Sequence, residues 1–268
     1  MSNLIKKIIN LKGQINASPF SIFHAKFIKL EADVSDFFTF RLDKYETVFI
    51  AENSLGLLTA KVVSCRHFFH FFDGDGKFLN VHEIESDELH YKLFIDIKMT
   101  AGVEFGGFTH HVQYSDELLQ KYKALLNNLV FQHRGYSGFR KKSENGFSYM
   151  HGNFGGLYID KKQNIQSLAR SRGKHTYTPQ FIIKSDYSYD LIFSNPVDKY
   201  ICIKFILIDG DTTQMLEEVC LNAYATHKLV LDGSIIKDSC NIAWETSLPV
   251  GRCAVFEYNN GSFDVFHS

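Results

Sequence analysis

The sequence predicts a mainly β protein, built as two tandem antiparallel β-sandwich modules with one or two short helices. Its 268 residues include 25 Phe and 13 Tyr but only 4 Pro. Aromatic side chains favour the half-buried surface of a pleated sheet. Short apolar runs alternate with turn residues along most of the chain, which is typical of antiparallel folds rather than of βα units. With 45% hydrophobic residues, a chain of this length can bury a substantial core.

Two turns predict β-hairpins. Asp73-Gly74-Asp75-Gly76 follows the apolar run His67–Phe72, and Asn260-Gly261 separates two apolar arms near the carboxyl end. Glycine tolerates the positive φ that tight hairpin turns require. A calcium loop is the alternative for the first turn. Because the carboxylate spacing of an EF-hand loop is missing, a plain turn is favoured.

One internal helix is predicted near residues 115–128. Ser115 can cap it, two acidic residues fill its first turn, and leucines then recur at helical spacing.

The first twelve residues suit a short amphipathic helix that packs on the body. Because lysines interrupt the apolar run of these residues, we do not expect them to act as a signal peptide. No apolar run approaches the roughly 18 residues that a membrane span needs.

We expect a β-rich domain over 1–165 and a β-sandwich over 176–268, joined by a polar connector at 160–179. The order strand, Asn-bearing turn, strand, Asp-Gly-Asp turn, strand occurs at 47–79 and again at 190–216. The later copy resembles the meander of an immunoglobulin-type sandwich, and this resemblance implies architecture only. The modules are therefore expected to be immunoglobulin-like or jelly-roll-like. Duplication is one interpretation, since any two β-meanders look similar in sequence.

Charge and cysteine content indicate a compartment and exclude one function class. The net charge is -1, with 29 basic and 30 acidic residues, which argues against a general nucleic-acid binder. The five cysteines contain no CxxC pair, and each sits in or beside an apolar run. We therefore predict buried, reduced thiols in a cytoplasmic protein. The cysteines are Cys65, Cys202, Cys220, Cys240 and Cys253.

Three segments combine glycines with histidines, namely Gly106–His111, Gln132–Gly138 and Tyr149–Gly156. Glycine weakens a strand, so it usually marks a bulge or the close approach of a ligand or another backbone. We predict one concave polar site with donors, acceptors and stacking rings. Its candidate ligand-binding residues are His133, Arg134, Tyr136, His151, Asn153 and Phe154, with Arg170 and Arg172 of the connector as an anion-binding pair.

Two other interpretations of these residues stay open. His111, His133 and His151 could converge on a zinc or iron ion, although no HxH or HExxH pattern is present. Without that metal, no cofactor is expected. Alternatively, the histidines are ordinary polar residues at strand ends, and the arginines are solvated linker charge. His67 and His70 are expected on opposite faces of an edge strand, and Trp244 is expected in the core rather than as a sugar platform.

No motif fixes a reaction, because GxSxG, Walker A, GxGxxG and kinase signatures are all missing. The favoured hypothesis is a non-catalytic binding or assembly module that recognises a glycan or an anionic surface polymer, by analogy with sandwich domains. A metal-dependent enzyme that uses the central histidines is the second hypothesis. The third is a structural subunit of a larger assembly, including a homo-oligomer.

Overall fold

The fold is mainly β, with few short helices, as the composition predicts. The structure is a computed structural model and describes residues 33–126, 132–133, 135–159, 165–167, 174–233, 235–236, 239–247 and 252–268. Their strands form four sheets, antiparallel except where one two-residue strand pairs in parallel. The predicted amino-terminal helix and most of the polar connector lie outside these residues. Within them, no helix is long and apolar enough to cross a membrane.

The first half of the chain forms two sheets. Sheet A has the order β11-β10-β1-β6-β3-β4, with β7 beside β1, and sheet B has the order β5-β2-β8-β9. The strands are β1 (Asp33–Arg41), β2 (Tyr45–Glu52), β3 (Cys65–Asp73), β4 (Phe78–Ser86), β5 (His90–Ile95), β6 (Phe105–Gln113), β7 (Gln132–His133), β8 (Gly135–Lys141), β9 (Ser148–His151), β10 (Asn153–Ile159) and β11 (Ile165–Ser167). The helices are α1 (Ser54–Thr59), α2 (Asp116–Lys121) and α3 (Lys123–Leu126).

The second half forms two further sheets. Sheet C has the order β12-β17-β14-β15, and sheet D has the order β16-β13-β18-β19. The strands are β12 (His175–Tyr177), β13 (Ser188–Ser194), β14 (Ile201–Asp209), β15 (Thr212–Leu221), β16 (Thr226–Leu231), β17 (Asn241–Thr246), β18 (Ala254–Asn259) and β19 (Ser262–His267).

Each half buries an aromatic core to which both of its sheets contribute. In the first half, the Phe38 ring of sheet A lies 4.6 Å from the Phe49 ring of sheet B. In the second half, the Phe193 ring of sheet D lies 4.6 Å from Phe205 and 4.9 Å from Trp244, both of sheet C. Trp244 is fully buried, so its predicted core position is confirmed. Burying a large apolar side chain stabilises by about 1.5–3 kcal/mol.

The strand glycines make room for these rings. A Cβ added at Gly107 would overlap the Phe37 ring, and one at Gly135 would overlap the Phe49 ring. At Gly152 the chain passes from β9 of sheet B to β10 of sheet A, and a Cβ there would overlap the Phe38 ring. The sequence analysis expected a ligand or another backbone to approach these glycines. The nearest neighbours are instead aromatic side chains of the protein's own core.

Both predicted hairpins and the predicted helix are confirmed. The Asp73–Gly76 turn joins β3 to β4, and Gly76 has a φ of 84°. Asn260 (φ 47°) and Gly261 (φ 88°) join β18 to β19. The Ser115 hydroxyl oxygen accepts a hydrogen bond from the Leu118 amide and caps α2. The helix is interrupted at Tyr122, so it consists of two short pieces.

The interpretation of His67–His70 as part of an edge strand is wrong. The Asp-Gly turn folds β4 onto one side of β3, while β6 pairs with the other side. The two faces are as predicted. His67 points towards His110, with 2.9 Å between ring nitrogens, and His70 stacks on His111 at 5.3 Å.

Two fully buried asparagines organise equivalent connections in the two halves. The Asn53 amide nitrogen donates to the Val63 carbonyl, and its oxygen accepts from the Gly56 amide. Asn195 donates to the Lys199 carbonyl and accepts from the Val197 amide. Each asparagine follows a strand of one sheet and precedes a hairpin of the other sheet. The repeated order read from the sequence therefore has a counterpart in structure.

The prediction of five reduced, buried thiols is wrong for two cysteines. Cys202 and Cys220 form a disulfide across β14 and β15. They lie on the solvent face of these strands, whose alternation places one residue in two outside the core. Cys65, Cys240 and Cys253 are free and buried, as expected.

The two halves of the chain meet around one buried arginine. The Arg41 side chain is only 2% exposed, and its Nη1 donates to Asp190 Oδ2 at 2.7 Å. The Tyr258 hydroxyl donates to the same carboxylate at 2.9 Å and lies 2.5 Å from the Tyr45 hydroxyl. The Arg41 guanidinium also packs over the Phe256 ring at 4.7 Å. We call these five residues the Arg41 network.

Removing one partner of this buried pair should destabilise the protein strongly. Arg41→Met leaves the Asp190 carboxylate unpaired, so the free energy of unfolding should fall by about 3–5 kcal/mol. Adding Asp190→Leu should recover much of that loss, because no buried charge then remains. Urea unfolding measures both. The matched control is Arg66→Met, which breaks an exposed pair with Glu83 and should cost less than about 1 kcal/mol. Equal losses in the two single variants would show that the Arg41 network is not a buried ion pair.

Replacement of Gly261 tests the carboxyl-terminal hairpin. Gly261→Val places a β-branched residue at a φ of 88°, so it should destabilise by about 1 kcal/mol or more. Gly146→Val is the control, because neither glycine has a neighbour within 4 Å of an added Cβ but only Gly261 has a positive φ. If the two variants unfold at the same urea concentration, positive φ is not required at Gly261.

Candidate functional site

The structure brings two of the predicted ligand-binding residues together. Tyr136 of β8 and His151 of β9 are directly paired across the strands, and their ring centroids lie 4.5 Å apart. His151 is exposed and Tyr136 is half-buried. Both side chains lie on the face of sheet B that points to solvent.

The other predicted residues lie on sheet A or outside the described residues. His111 is buried in β6, with its ring 5.0 Å from Phe68. His133 belongs to β7, and Asn153 and Phe154 to β10; only their backbone is described. Arg134, Arg170 and Arg172 lie outside the described residues.

The metal hypothesis therefore stays a prediction. His111 is buried in sheet A, whereas His151 is exposed on sheet B, and the side chain of His133 is not described. Over the described ranges, no three His, Cys, Asp or Glu side chains are grouped to hold a metal ion.

The solvent face of sheet B carries exposed aromatic residues because its strands alternate strictly. In β5, Lys92 and Phe94 point outward while Leu93 and Ile95 are buried. In β9, Tyr149 and His151 point outward while Met150 is buried. The residue exposure is 52% for Phe94 and 41% for Tyr149. These rings are held by the sheet but are not part of the core.

Exposed and half-buried rings lie in a row along this face. Phe94 and Phe147 have centroids 6.2 Å apart, and Phe147 and Tyr149 have centroids 6.0 Å apart. His151 follows two residues after Tyr149, about 7 Å further along the strand, and packs on Tyr136. We call Phe94, Phe147, Tyr149, His151 and Tyr136 the aromatic row. It crosses the sheet from one edge strand, β5, to the other, β9.

A glycine keeps the central ring of the row close to the sheet. Gly138 of β8 is paired with Tyr149, and a Cβ added at Gly138 would lie 2.5 Å from Tyr149 Cε1 and 2.8 Å from Cδ1. One edge of the Tyr149 ring therefore rests on the bare backbone of β8. Any larger residue at position 138 would lift the ring.

Two cations flank the row. Lys92 Nζ lies 4.9 Å from the Phe94 centroid and 5.5 Å from the Phe147 centroid. Arg140 Cζ lies 4.6 Å from the Phe147 centroid. Arg140 also donates to Glu46 Oε2, with Nε at 2.9 Å, and this pair is partly exposed. Cations over aromatic faces attract weakly and keep both groups in fixed positions.

An open groove of about 550 Å³ adjoins the row at the Phe94 end. Glu46, Glu104 and Lys142 line it together with Phe94 and Arg140. Lys142 Nζ donates to the Leu42 and Asp43 carbonyls at 2.9 Å. The groove thus offers acceptors and donors next to the exposed rings, as polar ligands require.

At its other end the row reaches the second half of the chain. The His151 ring is nearly parallel to the His267 ring of β19, with centroids 6.2 Å apart. Burial, the neighbouring His151 and Arg252 lower the pKa of His267 to about 4. His267 is therefore neutral at pH 7 and can pack against His151 without repulsion.

The sequence analysis missed Phe94, Phe147, Tyr149 and both cations. The run His90–Ile95 could have indicated two of these residues, because alternate residues of a strand share a face and Lys92 and Phe94 are two positions apart. The row itself requires strand order, since β5 and β9 are separated by β2 and β8 in the sheet.

No protein-family model and no curated protein matches the chain. Among solved structures, it has a weak similarity to a crystal structure assigned as a β-galactosidase from Bacteroides fragilis, with 9% sequence identity and a TM-score of 0.16. The aligned region covers 87% of this chain and 31% of that one, so the chain spans under a third of that protein's length. A similarity this weak supports no argument about function. The structure defines a class only: an antiparallel β protein with an aromatic and cationic sheet face.

His267 should make stability depend on pH. Its pKa is about 4 in the folded chain but near 6.5 in the unfolded chain, which therefore binds more protons between these values. The stability that this lowered pKa contributes to the folded chain is complete above pH 6.5. It falls as the pH drops towards 4 and then levels off. The loss should be on the order of 1–2 kcal/mol, after allowance for partial exposure. Urea unfolding at pH 7 and pH 4 should show a smaller difference for His267→Gln than for wild type. His90→Gln, at an exposed position, should behave like wild type.

Proposed function

We propose that the protein is a non-catalytic binding module whose ligand is a glycan that lies across the aromatic row. The observation that carries this proposal is that three rings from the two edges of sheet B, Phe94 on one side and Phe147 and Tyr149 on the other, lie at about 6 Å spacing on an open sheet face. Sugar rings have apolar C–H faces and polar edges. An aromatic surface flanked by donors and acceptors matches both.

The chemistry around the row favours sugars over a purely apolar ligand. Lys92 and Arg140 place positive charge beside the rings, and Glu46 accepts from Arg140. Hydroxyl groups can both donate and accept, so they can use the cations and the carboxylates of the groove. Single exposed apolar residues are ordinary, but contiguous ones with a polar rim are typical of interaction sites. Anionic groups on the ligand would add an attraction to Lys92.

The proposed architecture is two sandwich modules in tandem, immunoglobulin-like or jelly-roll-like. It is supported by two core clusters, one confined to each half and each with contributions from two sheets. A third cluster, which includes Tyr45 and Phe256, joins the two halves. In this architecture the aromatic row lies on the outer face of the first module, where a long polymer can pass without entering a cleft. We also propose a cytoplasmic protein on the basis of its three buried thiols. Disulfides are rare in the cytoplasm, so the bond between Cys202 and Cys220 then needs a separate explanation.

Titration calorimetry against neutral and anionic polysaccharides tests the proposal. Phe94→Ala and Tyr149→Ala should each weaken binding by about tenfold, which corresponds to about 1.4 kcal/mol. Gly138→Ala should also weaken binding, because it lifts the Tyr149 ring while keeping every ring present. Phe78→Ala is the control, since Phe78 is 51% exposed but belongs to β4 of sheet A.

Two outcomes would contradict glycan binding at this face. Either no polysaccharide binds, or the row variants bind as tightly as Phe78→Ala. Light scattering on the same samples tests the third hypothesis, a structural subunit that assembles with copies of itself. A wild-type oligomer that Tyr149→Ala converts to a monomer would show that copies of this chain cover the row.

A further inference from the structure

The disulfide closes the open end of a hairpin. β14 and β15 are joined by a tight turn at Gly210-Asp211, and Cys202 pairs with Cys220 at the opposite end. The two Cα atoms lie 4.0 Å apart, 18 residues apart in sequence. The hairpin is therefore held at one end by the turn and at the other end by a covalent bond.

This disulfide is accessible, whereas the free thiols are not. Cys220 is exposed and Cys202 is half-buried. Burial raises the pKa of Cys65 and of Cys253 to about 12, and also raises the pKa of Cys240. Thiol chemistry needs an accessible sulfur atom or a thiolate. Within the described part of the chain, the Cys202–Cys220 pair alone meets this requirement.

A charged groove adjoins Cys202. It has a volume of about 520 Å³, and Lys174, Lys204, Glu218 and Glu245 line it together with Cys202. Lys204 pairs with Glu218 at 3.7 Å, and Lys174 pairs with Glu245 at 2.6 Å. Lys204 lies two residues after Cys202 in β14, so both side chains share the solvent face.

We propose that the Cys202–Cys220 disulfide is a thiol–disulfide exchange site for a dithiol reductant, and that its reduction loosens the part of β15 next to Cys220. This inference does not depend on the proposed glycan binding. It also accounts for a disulfide in a protein whose other cysteines are reduced and buried.

The reaction exchanges one disulfide for another. A thiolate of the reductant attacks the Sγ of Cys220, the more exposed of the two residues. The bond to Cys202 breaks, and its electron pair leaves as the Cys202 thiolate. The second thiol of the reductant then attacks the mixed disulfide and displaces the Cys220 thiolate. The reductant is oxidised by two electrons to its own disulfide, and the two cysteines take up two protons. Lys204, which lines the same groove as Cys202, supplies a positive charge that favours the thiolate forming there.

The position of β15 determines what reduction changes. β15 is the edge strand of sheet C and pairs with β14 only. An edge strand has one row of unpaired N–H and C=O groups. Once the covalent bond is gone, the part of β15 next to Cys220 is held to β14 by strand hydrogen bonds alone. It lies between the Gly210-Asp211 turn and Leu221, whose carbonyl accepts a hydrogen bond from Asn195 Nδ2. The backbone groups of β14 opposite this part of β15 then become easier to reach.

Alkylation of native protein after treatment with dithiothreitol at neutral pH tests the exchange step. Peptide mapping should find Cys202 and Cys220 alkylated, and the three buried cysteines unmodified until the protein is unfolded. Without dithiothreitol, neither Cys202 nor Cys220 should react. The proposal is overturned if either one reacts without the reductant, since no disulfide then exists. It is also overturned if the disulfide resists reduction until the protein unfolds.

Hydrogen exchange tests the loosening of the strand. Reduction should speed exchange of amides at 218–220 at least tenfold more than exchange at 212–215. A Cys202→Ser, Cys220→Ser double variant should show this pattern without reductant. Uniform exchange along β15 in both samples would show that the disulfide does not hold the strand. Lys204→Gln should slow reduction severalfold, whereas Lys228→Gln, on an exposed position of sheet D, should not. Equal rates for these two variants would remove Lys204 from the mechanism.

Discussion

The arrangement of the two halves depends on satisfying one charge that water cannot reach. Arg41 lies at the end of β1, in the interior between sheets, and its hydrogen bonds reach a strand 149 residues later in the chain. Apolar packing alone tolerates small rotations, because it has little directionality. The hydrogen bonds from Arg41 to Asp190 and Tyr258 are directional, so they do not tolerate such rotations. Together with the apolar cluster that joins Met150 of β9 to Phe256 and Val265 of sheet D, they orient sheet D against the first half.

The candidate site depends on that arrangement at one end. His151 belongs to the first half and His267 to the second, so the end of the aromatic row is a contact between halves. The other end, at Phe94, is built from sheet B alone. The row therefore begins on sheet B at Phe94 and ends at the contact between the two halves. A ligand that covers the whole row would stabilise the seam by binding only the assembled form.

Local chemistry made the hairpins and the capped helix predictable from sequence. Asn260-Gly261 and Asp73–Gly76 require particular φ values, and Ser115 caps a helix whatever surrounds it. The edge position of His67–His70, the thiols of Cys202 and Cys220 and the aromatic row depend on strand order and register instead. Two cysteines beside apolar runs look buried until the face of each strand is known. Phe94 and Tyr149 are 55 residues apart in sequence. They share a face because the register across β2 and β8 places them in one line of paired residues.

The pairing of glycines with rings has a consequence for how this protein could diverge. Gly107 accommodates Phe37, Gly135 accommodates Phe49, Gly138 supports Tyr149 and Gly152 accommodates Phe38. A side chain at any of these glycines needs a smaller partner ring, and a smaller ring leaves a cavity unless the glycine is also replaced. Each pair is therefore expected to change jointly or not at all. Distant relatives could be recognised by the retained spacing of these pairs after overall sequence identity has been lost.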